Sequence, residues 1–177
     1  MNRYLQQDYL GAQIARMYSN EVGEPFFAAV GNYGDCDVQS VSGIIKIEIK
    51  TESTPIRTHN VAIEFWNIDL DMPSGVLGTK ASLWLHIILT TEGWIAIEYD
   101  VDRLRKLVIE QGQIKSNGNN SIFKLIPVDE FKKHAKRVYP FESKFLNNTI
   151  VPQEGNLGHG EIPESGNVPC LNLSDVV

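Results

Sequence analysis

A mixed α/β fold, with helices flanking a central mixed sheet, is predicted by three observations. Segments of two-residue alternation recur, as where Ile45, Ile47 and Ile49 interleave with Lys46, Glu48 and Lys50. Segments with apolar residues three and four apart stand at the start of the chain and again in its later half. Clusters of Gly, Pro and Asn separate the two kinds of segment. The resulting order is a helix, three strands, a crossover segment, further strands and closing helices, which describes an α/β sandwich.

The first helix is predicted over residues 3–19, where Leu10, Ile14 and Met17 share a face with Leu5 and Tyr9 beside them. Gly23 and Pro25 end it. A turn at Gly31 and Gly34 leads to a strand over 35–40, and the reversal Ser40-Val41-Ser42-Gly43 leads into the alternating strand over 43–52. Residues 53–59 read as a loop and 60–66 as a third strand. The stretch 72–78 is rich in turn residues, with Ser74-Gly75 read as a turn, and a short helix is expected over 79–82. LWLHIILT (83–90) and GWIAIEYD (93–100) are two strands joined at Thr91-Glu92-Gly93. A helix comes next over 101–111 with Asp100 or Asp102 as its cap, then a turn at 117–120, a strand over 121–127 and a helix over 128–139. Trp66, Trp84 and Trp94 are expected in the core or at an interface.

The 177 residues suit one domain with a sizeable core, here residues 1–146. From 147 to 177 the chain is rich in Gly, Pro and Asn and poor in large apolar residues, so an extended tail is expected there. The N-terminal stretch has no long apolar run, so neither a signal peptide nor a membrane span is expected. Cys36 and Cys170 make no zinc spacing and read as reduced thiols of a cytoplasmic protein. His59, His86, His134 and His159 likewise show no metal-ligand spacing. A net charge of −6 argues against coating nucleic acid by bulk attraction, but leaves room for a site built from carboxylates.

The chemistry-bearing signal lies in the alternating strand. Glu48 and Lys50 project from one face of it. A surface ion pair is the ordinary account of such a pair. About one Glu-x-Lys triplet is expected by chance in a chain of this length. Of the three present, Glu130-Phe131-Lys132 falls in a predicted helix and Glu142-Ser143-Lys144 beside the tail. Glu48-Ile49-Lys50 alone is on an alternating strand, and it has Asp37 on the preceding strand, across a tight reversal. If the charged faces match, Asp37, Glu48 and Lys50 converge. Two carboxylates on rigid strands suit Mg²⁺ or Mn²⁺, and a neighbouring ammonium can stabilise charge on a phosphate. Asp35 reads as a turn residue.

GDCDV followed by GIIKIEIKTE resembles the PD-(D/E)xK nuclease superfamily, which includes type II restriction enzymes and Holliday-junction resolvases. The segment from NVAIEFW to MPSGVLGTKASLWLHI is similar to the region after the motif in the superfamily's small, phage-type members. Cys36 stands where the literal motif has Pro. The resemblance covers about residues 1–135. It implies a restriction-endonuclease-like fold and magnesium-dependent hydrolysis of DNA in a bacterial or phage-infected cell. Asp37 and Glu48 would then bind metal, Lys50 would act on the phosphate, and Glu64, mid-strand between Ile63 and Phe65, would assist. Some members add a carboxylate from the first helix, for which Asp8, Glu21 and Glu24 are all candidates. Lys80, beside Thr79, and the basic run Lys132, Lys133, Lys136 and Arg137, extended by Lys144, are the candidate DNA contacts. A homodimer is expected if both strands are cut. Two rival expectations are a junction resolvase and a non-catalytic binding module that keeps the fold.

Overall fold

The computed structural model describes residues 3–29, 36–116, 120–143 and 146, with side chains described from residue 9 onward. Asp35, Lys144, His159, Cys170, the side chain of Asp8 and the whole 147–177 segment fall outside the described residues, and so do the expectations placed on them.

The chain opens with α1 (Arg3–Val22), which buries Leu10, Ile14, Ala15 and Tyr18. Three strands come next: β1 (Phe26–Ala28), β2 (Val38–Ser40) and β3 (Lys46–Glu52). They form an antiparallel meander. The predicted reversal is present between β2 and β3. The Gly43 N–H donates to the Ser40 carbonyl at 2.9 Å, and Gly43 holds a φ of 73°, which favours glycine. The short helix α2 (Pro55–Thr58) begins on a proline and is closed by His59 in the left-handed region. Then come β4 (Asn60–Asn67), β5 (Met72–Pro73) and the one-turn α3 (Gly75–Gly78). The chain then enters β6 (Leu83–Thr90), β7 (Gly93–Asp100) and α4 (Val101–Glu110). It closes with β8 (Gln113–Ser116), β9 (Ser121–Pro127), α5 (Val128–Lys133) and β10 (Arg137–Pro140).

The fold is mixed α/β, with two sheets where the sequence suggested one. A six-stranded mixed sheet has the order β1-β2-β3-β6-β7-β10, and a four-stranded antiparallel sheet has the order β5-β4-β9-β8. In the first sheet β3 runs parallel to β6, and the excursion through β4, β5 and α3 makes the crossover between them. The continuous apolar run of β6 results from its position. It lies between β3 and β7 with both faces covered, and its first six residues are buried.

Each face of the mixed sheet has its own core. Ile47, Leu85, Ile87 and Ala96 pack under Leu10, Ile14 and Tyr18 of α1. On the other face Trp84, Ile88, Ile97 and Tyr99 meet Val61, Ile63 and Phe65 of β4, Leu104 and Val108 of α4, and Phe131 of α5. Trp66 and Trp94 pack half-buried at the edges of these two cores.

Several expectations need correction. The helix expected over 128–139 stops at Lys133, because Val138 and Tyr139 pair with Ile97 and Ala96 and extend the mixed sheet. The helix expected over 79–82 lies one turn earlier, over 75–78, where Gly75 supplies a φ of 48°. The loops expected over 53–59 and 72–78 contain α2, β5 and the start of α3. The Asp100 side chain makes no cap hydrogen bond to α4. Among the described residues no helix is long and apolar enough to cross a membrane.

Candidate active site

The register of the mixed sheet decides which side chains meet. Val38 sits opposite Ile47 and shares its face, while Gln39, Lys46 and Glu48 belong to the other. Asp37 stands just before β2, where its N–H donates to the Ile47 carbonyl at 2.9 Å. The parallel ladder puts Trp84 beside Glu48 and His86 beside Lys50. Glu48, Lys50, Trp84 and His86 therefore occupy the side of the sheet away from α1. The structure brings Asp37 close enough to Glu48 and Lys50 for their charges to act on one another.

Each group is held by a specific contact. Asp37 Oδ2 accepts the Ile49 N–H at 2.6 Å. Lys50 Nζ lies 2.6 Å from Glu48 Oε1 and 5.7 Å from the centre of a Trp84 ring. The Thr79 hydroxyl accepts the Ala81 N–H at 3.2 Å and donates to Glu48 Oε2 at 3.4 Å. Glu64 comes from the second sheet. The ladder between β4 and β9 slips between Glu64 and Trp66, and such bulges re-aim neighbouring side chains. The Ser74 hydroxyl, at the start of α3, donates to Glu64 Oε1 at 2.7 Å. A Cβ added to Gly75 would stand 2.2 Å from the Glu64 carbonyl oxygen, so this close approach requires glycine.

Asp37, Lys50 and Glu64 line one open cleft of about 310 Å³, together with Glu52, Trp84 and His86. Its electrostatics reflect crowded negative charge. Burial pushes the Asp37 carboxyl up, and the charge of Glu48 adds to this, against the Ile49 N–H and Lys50. Burial acts to lower the Lys50 amine. Glu48, Asp37 and Glu64 together outweigh it and hold the amine above its ordinary value. Carboxylate oxygens at Asp37 and Glu48 are the hard donors that Mg²⁺ and Mn²⁺ prefer, and a cation there would relieve the repulsion. Among the described residues no three His, Cys, Asp or Glu side chains form a cation cage by themselves.

The basic residues lie elsewhere. None of Lys80, Lys132, Lys133, Lys136 and Arg137 lines the cleft. Lys80 is exposed next to Thr79. Lys132 borders a separate groove with His59 and Asp129, and Lys133 pairs with Glu130 at 3.6 Å. Arg137 opposes Glu98, which opposes Leu85, and so projects toward α1. There its guanidinium binds Glu98 at 2.7 Å and Glu21 at 2.5 Å, while Lys136 reaches Glu98 at 3.3 Å and Asp100 at 3.5 Å. Of the first-helix candidates, Glu21 is occupied by Arg137, and Glu24 accepts the Ser42 N–H at 2.6 Å.

Sequence reasoning left out Ser74 as a positioning group, and also Glu52, Trp84 and His86. Their signal was present: Glu52 continues the spacing of Glu48 and Lys50, and His86 interrupts an otherwise apolar strand. The fold and this cleft define a carboxylate–lysine site on a mixed α/β scaffold. No family model matches the chain, and no curated protein matches it in sequence.

Proposed function

We propose that the chain is a divalent-metal-dependent DNA endonuclease with a restriction-endonuclease-like core. The observation that carries this is the convergence of Asp37, Glu48 and Lys50, with Asp37, Lys50 and Glu64 lining one cleft. An exposed ion pair would need neither the hydroxyl that Thr79 aims at Glu48 nor a second carboxylate raised by burial and then by its neighbour's charge. Raised carboxyl groups and charge-coupled lysines in a cleft are features of functional sites.

Asp37 and Glu48 would hold Mg²⁺ or Mn²⁺, which when bound supplies Lewis-acid polarisation of the phosphate and a more acidic water. The Ile49 N–H fixes Asp37, and Thr79 fixes Glu48, before any ligand arrives. Lys50 is pre-oriented by Glu48 and donates to the phosphate oxygens as charge builds on them. Glu64, held by Ser74, orients water at the opposite wall. Exposed Lys80 and Lys133, with half-buried Lys132, offer charge to the DNA backbone. Lys136 and Arg137 serve first to neutralise Glu98. A homodimer would cut both strands with two copies of one site.

Supercoiled, linear and four-way-branched DNA, each incubated with Mg²⁺ and with chelator, test the proposal. Cleavage of the unbranched duplexes supports an endonuclease. Cleavage confined to the branched DNA makes it a junction resolvase. Binding without cleavage in either Mg²⁺ or Mn²⁺ leaves a non-catalytic module and removes the proposal.

A further inference from the structure

His86 is 1% exposed, yet it stands at the floor of the cleft with both ring nitrogens engaged. The Trp84 indole N–H lies 3.2 Å from His86 Nδ1. An indole nitrogen only donates, so Nδ1 is the acceptor and the neutral ring carries its proton on Nε2. Nε2 in turn lies 3.3 Å from Glu52 Oε2. The same oxygen accepts the Ala62 N–H from β4 at 3.1 Å. Glu52 is thus tied to both sheets through one oxygen, while Oε1 makes no hydrogen bond among the described residues. Glu52 lies two residues beyond Lys50 on the same face and lines the same cleft.

We propose that Glu52 is a further catalytic carboxylate of this cleft, held in place by a Trp84–His86 relay that fixes its orientation. The proposal rests on the nuclease reading and names the group that handles the attacking water. Glu52 Oε1 accepts that water's hydrogen bond. As the water oxygen forms its bond to phosphorus, the proton passes to Oε1. The bond to the leaving sugar oxygen breaks with its electron pair, and that oxygen takes a proton from solvent. His86 and Trp84 touch neither water nor phosphate and are positioning residues. Their arrangement is that of an acid–imidazole pair whose tautomer is set by a third group. Here the carboxylate is the working end and the imidazole its support. A buried histidine serving only the core would not need to face a carboxylate that opens into the cleft.

The test is steady-state nicking of supercoiled DNA in Mg²⁺ by wild type, Lys50→Ala, Glu52→Gln, His86→Phe and His86→Gln, with calorimetric Mg²⁺ titration and thermal unfolding of each. Glu52→Gln is expected to lower kcat by about a hundredfold, the scale of one general base. Its KM, Mg²⁺ affinity and unfolding should stay near wild type. His86→Phe should lower kcat by about tenfold, and His86→Gln, which keeps a donor toward Glu52, should recover part of it. The ¹⁵N spectrum of the wild-type ring should show Nε2 protonated and Nδ1 bare. Wild-type kcat in Glu52→Gln, where Lys50→Ala is inactive, overturns this proposal and leaves the nuclease standing. The opposite tautomer, or equal losses in His86→Phe and His86→Gln, overturns the relay. A wild-type chain that cleaves no DNA overturns the nuclease and Glu52's role together.

Discussion

Arg137→Ala separates a structural from a DNA-binding role for the basic segment. Arg137 is half-buried and holds Glu98, whose side chain is 4% exposed. Removing the guanidinium leaves a buried carboxylate with two remaining partners, the Tyr18 hydroxyl at 2.5 Å and Lys136 at 3.3 Å. Breaking a buried pair costs about 3–5 kcal/mol. Those two partners keep Glu98 satisfied, so a loss of about 3 kcal/mol is expected, at the low end of that range. The Glu21 contact is more exposed and adds under about 1 kcal/mol. For a domain of this size 1 kcal/mol moves Tm by about 2–4 °C, so a drop of about 6–12 °C is expected. Burial alone would raise Glu98 above its ordinary 4.5, but the Tyr18 hydroxyl and Arg137 outweigh it and leave the carboxyl below that value. Stability from this group is complete above 4.5 and is lost as pH falls through the lowered folded value. The deficit of Arg137→Ala therefore narrows in acid. Thermal unfolding by circular dichroism at neutral and acid pH measures both effects. Wild-type unfolding at neutral pH, together with weakened DNA binding, would refute the structural role and return Arg137 to the DNA surface.

Further outcomes concern the cleft and the domain boundary. Lys50→Ala should cost under about 1 kcal/mol of stability, since the ammonium is half-exposed, yet lower cleavage by about a hundredfold. Lys50→Arg should rescue poorly, because a planar fork does not replace a compact ammonium, as initial nicking rates will show. Asp37 titrates above its ordinary value, so its contribution to stability is complete in acid and is lost as pH rises through the raised folded value. Asp37→Asn should accordingly raise Tm at neutral pH without metal and abolish the Tm gain on adding Mg²⁺, both read in one thermal-shift series. A chain ending at residue 146 should still unfold cooperatively, because it keeps Phe141 and Leu146, which are buried against the α1 core. Ending it before Phe141 should broaden or lower the transition.

The strands that carry the site were legible because burial imposes a strong pattern on them. Residues 83–90, 93–100 and 121–127 form strands with the bounds that apolar patterning and turn residues predict. Glu48 and Lys50 share a face because of the two-residue period, and the tight reversal brings Asp37 beside them. Assignment to sheets was not legible. Nothing in NVAIEFW says that β4 pairs with β9, some sixty residues on, and not with β3. The short elements β1, β5 and β10 owe their state to ladder partners rather than to propensity. Likewise the basic run over 132–137 reads as a charged helical face. Only the pairing of Arg137 with Glu98 turns its last residues toward α1.

The central claim is that Asp37, Glu48 and Lys50 form a metal-dependent phosphodiester-cleaving site. Its most direct test is a side-by-side assay of supercoiled plasmid with wild type and Glu48→Ala, each in Mg²⁺ and in excess chelator. The account predicts nicking by wild type in Mg²⁺ alone, and none by Glu48→Ala at equal folded concentration. Equal nicking by the two proteins, or cleavage that survives the chelator, would contradict it.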